Sequence, residues 1–389
     1  MTGPRHKSSR VVIVGGGFAG LSVAARLAQS GLPVTLLESA RLGFHASTRN
    51  QGWLYSGAWF ALEQTELARM CYASLEQTLR FCPDCVEPQH EGMAYLISKP
   101  DTPVRSWTNA WTKAGIPFEE LPRSRLHTRI PDLELSEVQH AFLLPDRSIR
   151  TDVLLCKLAA TAQNAGAEIR TETPVARLMR DGDHVIGVTT SEGEEIHAGL
   201  VILAAGASGS QFWSEIMPTK AGSQPGYCLV ALKSHLLAVK PGVGTLPFCV
   251  VDRDGLNHVP HAPTSVFGAN RWSVVSDPSD RHIVAEEIHQ LWEHVSRFFP
   301  RLREDCEVAE WAGTTVQAMH YDQIQPGRVP LPTVIDHEQE SPPVFDLLSV
   351  YPGRATLWSH MAEETRRVVL DKLAVTPTTI AQPPWSVTC

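Results

Sequence analysis

The chain has 389 residues, with 34 Lys and Arg against 42 Asp and Glu and a formal charge of −8. That length exceeds one comfortable hydrophobic core and predicts two lobes. The charge is mildly acidic and free of long like-charge runs, which counts against a nucleic-acid or polybasic membrane role and leaves a small molecule as the expected partner. No stretch offers the roughly 20 uninterrupted apolar residues of a membrane span.

The first ten residues are basic and contain serine, but the apolar run after them is a short strand broken by glycines. They read as a disordered leader, not a signal peptide, and the expected location is cytoplasmic. Eight scattered cysteines fit buried thiols in a reducing compartment. Cys82 and Cys85 form a CxxC pair without a thioredoxin-like context or a second ligand pair, so they read as ordinary thiols and no metal is assigned.

Val11 to Val14 form a continuous β-branched run, the pattern of a strand buried on both faces, and lead directly into Gly15-Gly16-Gly17-Phe18-Ala19-Gly20. Small and apolar residues at helical spacing follow from Leu21 to Ala28. A second strand, Pro33 to Leu37, ends on Glu38 and Ser39. In this frame Gly15 makes the tight turn, Gly17 lets backbone approach a pyrophosphate, and Gly20 lets helix and strand pack closely. The helix start, with Phe18 and Ala19, presents N–H groups to phosphate. Glu38 can accept hydrogen bonds from ribose hydroxyls and would repel the 2′-phosphate of NADP. FAD and NAD both fit this unit.

Gly43 to Ala58, containing Ser47-Thr48-Arg49-Asn50-Gln51-Gly52-Trp53-Leu54-Tyr55-Ser56-Gly57, is too regular for a linker. It resembles the flavin loop of the D-amino-acid-oxidase-like superfamily. With Leu67-Ala68-Arg69 and Cys85-Val86-Glu87-Pro88 it is similar, more narrowly, to FAD-dependent glycerol-3-phosphate dehydrogenases and their 2-hydroxyacid-oxidising relatives. The resemblance implies FAD rather than NAD, with Ser47, Thr48, Arg49, Asn50, Gln51 and Gly52 beside the cofactor. It extends to strands at 168–171 and 175–178 after a helix at 152–165. It extends also to Val201 to Ala207 and to Leu347 to Leu357 ahead of a helix to Leu373. It implies cofactor contacts at Val175, Ala205 and Gly206, and at Gly353, Arg354, Ala355, Thr356 and Leu357. The last group would offer backbone N–H groups to the charge that develops on a reduced flavin. Where glycerol-3-phosphate dehydrogenases tend to carry a His and an Arg, this chain has Tyr55 and Ser359, which counts against glycerol 3-phosphate itself as the substrate.

The expected fold is α/β: a discontinuous Rossmann-type, glutathione-reductase-like FAD domain at 1–87, 146–220 and 336–375, and a mixed-sheet α+β substrate domain at 88–145 and 221–335, with a tail at 376–389. Strands are expected at 227–232 and 264–267, and a charged helix at 281–299.

Oxidation of an alcohol or amine by a flavin needs a proton acceptor and, for an acidic substrate, a cation or donors. Tyr55, His258, His261 and Arg271 are the candidates for these roles, each weighed against an ordinary core or surface position; His320 and Tyr321 are weaker ones. Trp53, Trp59 and Trp358 fit either aromatic pocket walls or core packing.

The leading function is an FAD-dependent oxidase or dehydrogenase that moves a hydride to flavin N5 from a C–H bearing a hydroxyl or amine of a small substrate, carboxylated or not, with O2 or an electron carrier as acceptor. An amino-acid or amine oxidase and a flavin-bearing electron-transfer subunit that needs a partner chain are the alternatives. An aromatic hydroxylase fits less well, because the later Gly-Asp ribose motif of those enzymes has no match.

Overall fold

The computed structural model describes residues 9–88, 91–216, 226–252, 255–268, 271–302, 306–320 and 329–375. By contacts the chain forms two units, Met1–Thr48 with Asp152–Ala231 and Thr315–Cys389, and Arg49–Thr151 with Leu232–Thr314.

The first unit is built on a six-stranded sheet in the order Thr333–Asp336, Leu347–Tyr351, Leu200–Leu203, Val11–Val14, Val34–Leu37, Glu168–Arg170. All neighbours are parallel except the first pair. Val11 to Ile13 are fully buried, as a parallel strand covered on both faces requires. Val12, Val14, Val201 and Leu203 pack against Val175, Leu178, Val188 and Ile196 of a three-stranded antiparallel sheet. The helices Phe18–Gln29 and Trp358–Lys372 are tied together by Arg26, whose Nε lies 2.7 Å from Glu363 Oε2, and Arg366 closes on the same carboxylate.

The second unit carries a mixed sheet whose central order is the strand Tyr227–Lys240, which enters this unit at Leu232, then Thr264–Gly268, Asn257–His261, Phe248–Val250, Met93–Ile97, His140–Leu144. Alternation along these strands builds two cores. Phe248, Val250, Leu237, Val239 and Phe267 pack with Ile288, Leu291, Trp292 and Val295 of the helix Ala285–Phe298. Met93, Tyr95, Ile97, Cys249 and Val259 cluster with Trp107 and Trp111 of the helix Val104–Ala114 and with Trp53, Ala58 and Ala68.

By contacts, residues 49–87 and 146–151, expected with the cofactor domain, group with the second unit, and residues 221–231 and 315–335, expected with the other domain, group with the first. The strand Trp53–Leu54 pairs antiparallel with Arg147–Ser148, and its neighbours feed the tryptophan-rich core. The helix expected at 281–299 runs from Ala285 to Phe298, and the strand expected at 227–232 continues to Lys240.

Candidate functional site

In the first unit, Gly15 turns the chain at φ +112°, and a Cβ there would lie 2.5 Å from the Ala204 carbonyl oxygen. A Cβ on Gly20 would lie 1.8 Å from the Gly15 carbonyl oxygen, so helix and turn approach closely only because no side chain intervenes. The helix Phe18–Gln29 begins at Gly17, which supplies no side-chain cap, and has no acid in its first turn to offset the positive end of its dipole. The Phe18 amide donates to Ser47 Oγ at 3.1 Å, placing that hydroxyl at the helix start.

Glu38 is 6% exposed at the end of its strand. Its Oε2 accepts from the Gly16 amide at 2.6 Å, and its Oε1 accepts from the Ala40 amide at 2.9 Å and the Ser39 hydroxyl at 3.1 Å. A carboxylate has about four lone-pair sites, so a position on Oε2 is left for a ribose hydroxyl. Gly206, after the strand Leu200–Leu203, stands at φ +52° with nothing within 4 Å of where its Cβ would be. A second helix, Trp358–Lys372, also starts without a side-chain cap or an acid in its first turn, directly after Gly353 to Leu357. Val175 is a strand residue whose carbonyl accepts from Gln211 Nε2 at 3.3 Å.

In the second unit, the loop Asn50 to Gly57 is fixed from several sides. Gly52, at φ +71°, has its amide 2.8 Å from Asn50 Oδ1 and its carbonyl 2.8 Å from the Ile149 amide. Trp311 Nε1 donates to the Arg49 carbonyl at 3.2 Å, and Trp111 Nε1 to the Ala58 carbonyl at 3.1 Å. Asp146, fully buried, accepts from Trp53 Nε1 at 2.9 Å and from the Tyr95 hydroxyl at 3.1 Å. Burial raises its pKa against the hydrogen bonds from Ser56, Trp53 and Tyr95 that lower it. Tyr55 stacks on Trp53, with centroids 4.2 Å apart.

The four catalytic candidates do not converge. His258 and His261 lie three apart on one strand and face opposite ways. His258 is fully buried against Phe248 and Phe267, with Nε2 2.7 Å from Ser265 Oγ, and is a core residue of the helix-covered face. His261 is on the loop side: a Cβ on Gly52 would meet its Cε1 at 2.9 Å. Arg271 precedes the strand Ser273–Val275, is exposed, and bonds Gln290 on the helix Ala285–Phe298. Of the tryptophans, Trp358 and Trp53 are 0% and 4% exposed, and Trp59 packs on Trp107. His320 packs edge-on to Tyr227 in the first unit, and Tyr321 lies outside the described residues.

One residue that sequence reasoning passed over stands beside the loop. Arg147 pairs with Leu54 across the two strands, next to Tyr55. Its Nη1 donates to the carbonyls of Pro145 and Asp146 at 2.6 and 3.0 Å, and among the described residues it makes no ion pair. Burial lowers its pKa, partly offset by Asp146, Glu76 and Tyr72. Two charges between the apolar runs at 141–144 and 149 were the available signal.

A family model, DAO, described as FAD dependent oxidoreductase, matches residues 10–339. The chain belongs to this family. Among curated proteins it is similar to a glycine oxidase of Pseudomonas aeruginosa, 29% identical over 316 residues that cover 79% of this chain and 82% of that one. It is also similar to one subunit of the anaerobic glycerol-3-phosphate dehydrogenase of Escherichia coli K12, 26% identical over 377 residues, 95% of this chain and 68% of the other. A glycine oxidase structure from Geobacillus kaustophilus shares the fold, with a TM-score of 0.71, 21% identity, and 98% and 99% of the two chains covered. This member of the FAD-dependent oxidoreductases is thus a flavoenzyme, and the cofactor is FAD. The glycine turn, the uncapped helix and the open position on Glu38 fit its pyrophosphate and ribose. Among the described residues no helix is long and apolar enough to cross a membrane.

Proposed function

We propose that this flavoenzyme oxidises a small carboxylated substrate at a C–H bearing a hydroxyl or amine, with O2 or an electron carrier as the final acceptor. The observation that carries the substrate's charge is Arg147, a half-buried guanidinium with no ion pair among the described residues, one position across from the loop. A cation in that setting gains most from an anion that arrives with the ligand.

FAD, when bound, supplies the two-electron acceptor for the hydride. Gly15, Gly17, Phe18, Ala19, Gly20, Glu38 and Ser39 would hold its adenosine and pyrophosphate, with Val175, Ala205 and Gly206 alongside. The loop Ser47 to Gly52 and the turn Gly353 to Leu357 would hold the flavin end. Tyr55 would wall the substrate and donate a hydrogen bond, while Arg147 orients the carboxylate. His258 and Arg271 take no part, because their positions turn them away from the loop. The free cysteines, most of them buried among the described residues, support a reducing, cytoplasmic setting.

The test is a panel of 2-hydroxy acids, amino acids and their methyl esters, followed by O2 uptake, dye reduction and ammonia release. Turnover of free acids and not of their esters supports the reading, and ammonia release identifies the amine class. Equal turnover of esters and acids contradicts it. A second reading, a flavin-bearing chain that passes electrons to a partner, is favoured by the likeness to a protein named as one part of a larger dehydrogenase. It predicts no turnover by the isolated chain.

A further inference from the structure

His261 closes the strand Asn257–His261 with both ring nitrogens engaged. Nε2 lies 2.9 Å from the Gln51 carbonyl oxygen and Nδ1 2.8 Å from Glu87 Oε1. A backbone carbonyl only accepts, so Nε2 carries a proton and donates it to Gln51. An ionised carboxylate also only accepts, so a second proton lies between Nδ1 and Glu87. The ring then has no lone pair left for a substrate. Its hydrogen-bonding capacity is spent on one peptide group of the loop and on the acid that orients it.

That peptide group is held at both ends. His261 takes the Gln51 carbonyl, and Asn50 Oδ1 takes the Gly52 amide at 2.8 Å. Gly52 is left-handed, and the space a Cβ would need is filled by the Ile149 carbonyl oxygen at 2.4 Å and by His261 Cε1 at 2.9 Å. Glu87 is in turn fixed by its amide, which donates to the Ser148 carbonyl at 2.9 Å. Histidine, carboxylate and loop therefore form one chain of hydrogen bonds, with the donor end of the imidazole directed at the loop.

We propose that His261 and Glu87 are a positioning pair that fixes the Gln51–Gly52 peptide in the geometry that contacts the flavin. The proposal rests on the reading that this loop contacts the flavin. Neither residue touches the substrate. Their effect passes through the loop, as a carboxylate orients a histidine that holds a third group.

The experiment compares wild type with His261→Gln, Glu87→Gln and Asn50→Ala. FAD affinity is read by fluorescence titration of the apoprotein, with the visible circular dichroism and midpoint potential of the bound flavin. Glu87→Gln is nearly isosteric and guards against loss of fold, which thermal melting of each variant checks. The expected result is FAD affinity about tenfold weaker in His261→Gln, with an altered flavin dichroism, a shifted potential, and kcat reduced more than KM is raised. Glu87→Gln changes the same signals in the same direction and to a smaller extent. Wild-type affinity, dichroism and potential in both variants, while Asn50→Ala alters them, would overturn the pair. If Asn50→Ala also leaves the bound flavin unchanged, the loop reading fails first and the pair falls with it.

Discussion

The Oε2 atom of Glu38 accepts a hydrogen bond from the Gly16 amide at 2.6 Å, joining the end of the second strand to the glycine turn after the first. The carboxylate proposed to meet the ribose is thereby set by the turn proposed to meet the pyrophosphate. Glu38→Ala removes both the ribose acceptor and the clamp. A hydrogen bond to a charged group is worth about 1.5–3 kcal/mol, so FAD affinity should fall by about one to two orders of magnitude. Titration of the apoprotein with FAD checks this, and unchanged affinity would remove Glu38 from the cofactor site.

Gly20→Ala would drive a methyl group to 1.8 Å from the Gly15 carbonyl oxygen, a backbone atom that cannot swing away. The expected loss of stability is at or above the ~3 kcal/mol upper end for overpacking, with loss of FAD binding. Gly209→Ala meets nothing nearer than 3.6 Å and should cost less than about 1 kcal/mol. Thermal melts of the two variants give the comparison, and equal melting temperatures would contradict the packing described.

Arg147→Gln should raise KM for carboxylated substrates by about tenfold to a hundredfold, the loss expected for a charge-assisted bond, with kcat changed little. Arg147→Lys should recover part of it, because a point charge replaces a fork. Steady-state kinetics with an acid and its ester separate this role from a structural one. An equal effect on both substrates would assign Arg147 to the loop's support.

Burial pushes the pKa of His337 down to about 4, with Asp336 opposing, and its Nε2 lies 2.8 Å from Ser349 Oγ. The folded chain therefore resists protonation there, while the unfolded chain takes up a proton near the ordinary histidine pKa of about 6.5. This contribution to stability is constant above that value and is lost as pH falls from about 6.5 towards about 4, by at most about 1.4 kcal/mol per pH unit. Denaturant unfolding at several pH values should show that slope, and His337→Gln should flatten it. A slope of the opposite sign would mean that the folded ring is charged.

The nucleotide-binding half was legible because its signals are local. The run Val11 to Val14, the glycine turn and Glu38 lie within one short stretch, and each residue type has one job there. The choice between His258 and His261 was not legible. Period-two alternation puts them on opposite faces, but which face meets the loop depends on a register set by pairing with Thr264–Gly268. Arg147 and Asp146 were missed for a similar reason. Trp53 and Asp146 are 93 positions apart in sequence, and only the antiparallel pairing brings them together. Arg271 reads as a candidate anion clamp because its planar fork suits an acidic substrate. Its partner, Gln290, belongs to a helix on the other side of the sheet.

The most direct test of the central claim is anaerobic titration of the purified flavoprotein with small 2-hydroxy acids and amino acids, following the flavin band near ~450 nm. The expected result is bleaching by one of these classes of free acid, without bleaching by the matching esters. A bound flavin that stays oxidised with every acid, and is reduced instead by an uncharged substrate or only in the presence of another protein, would contradict it.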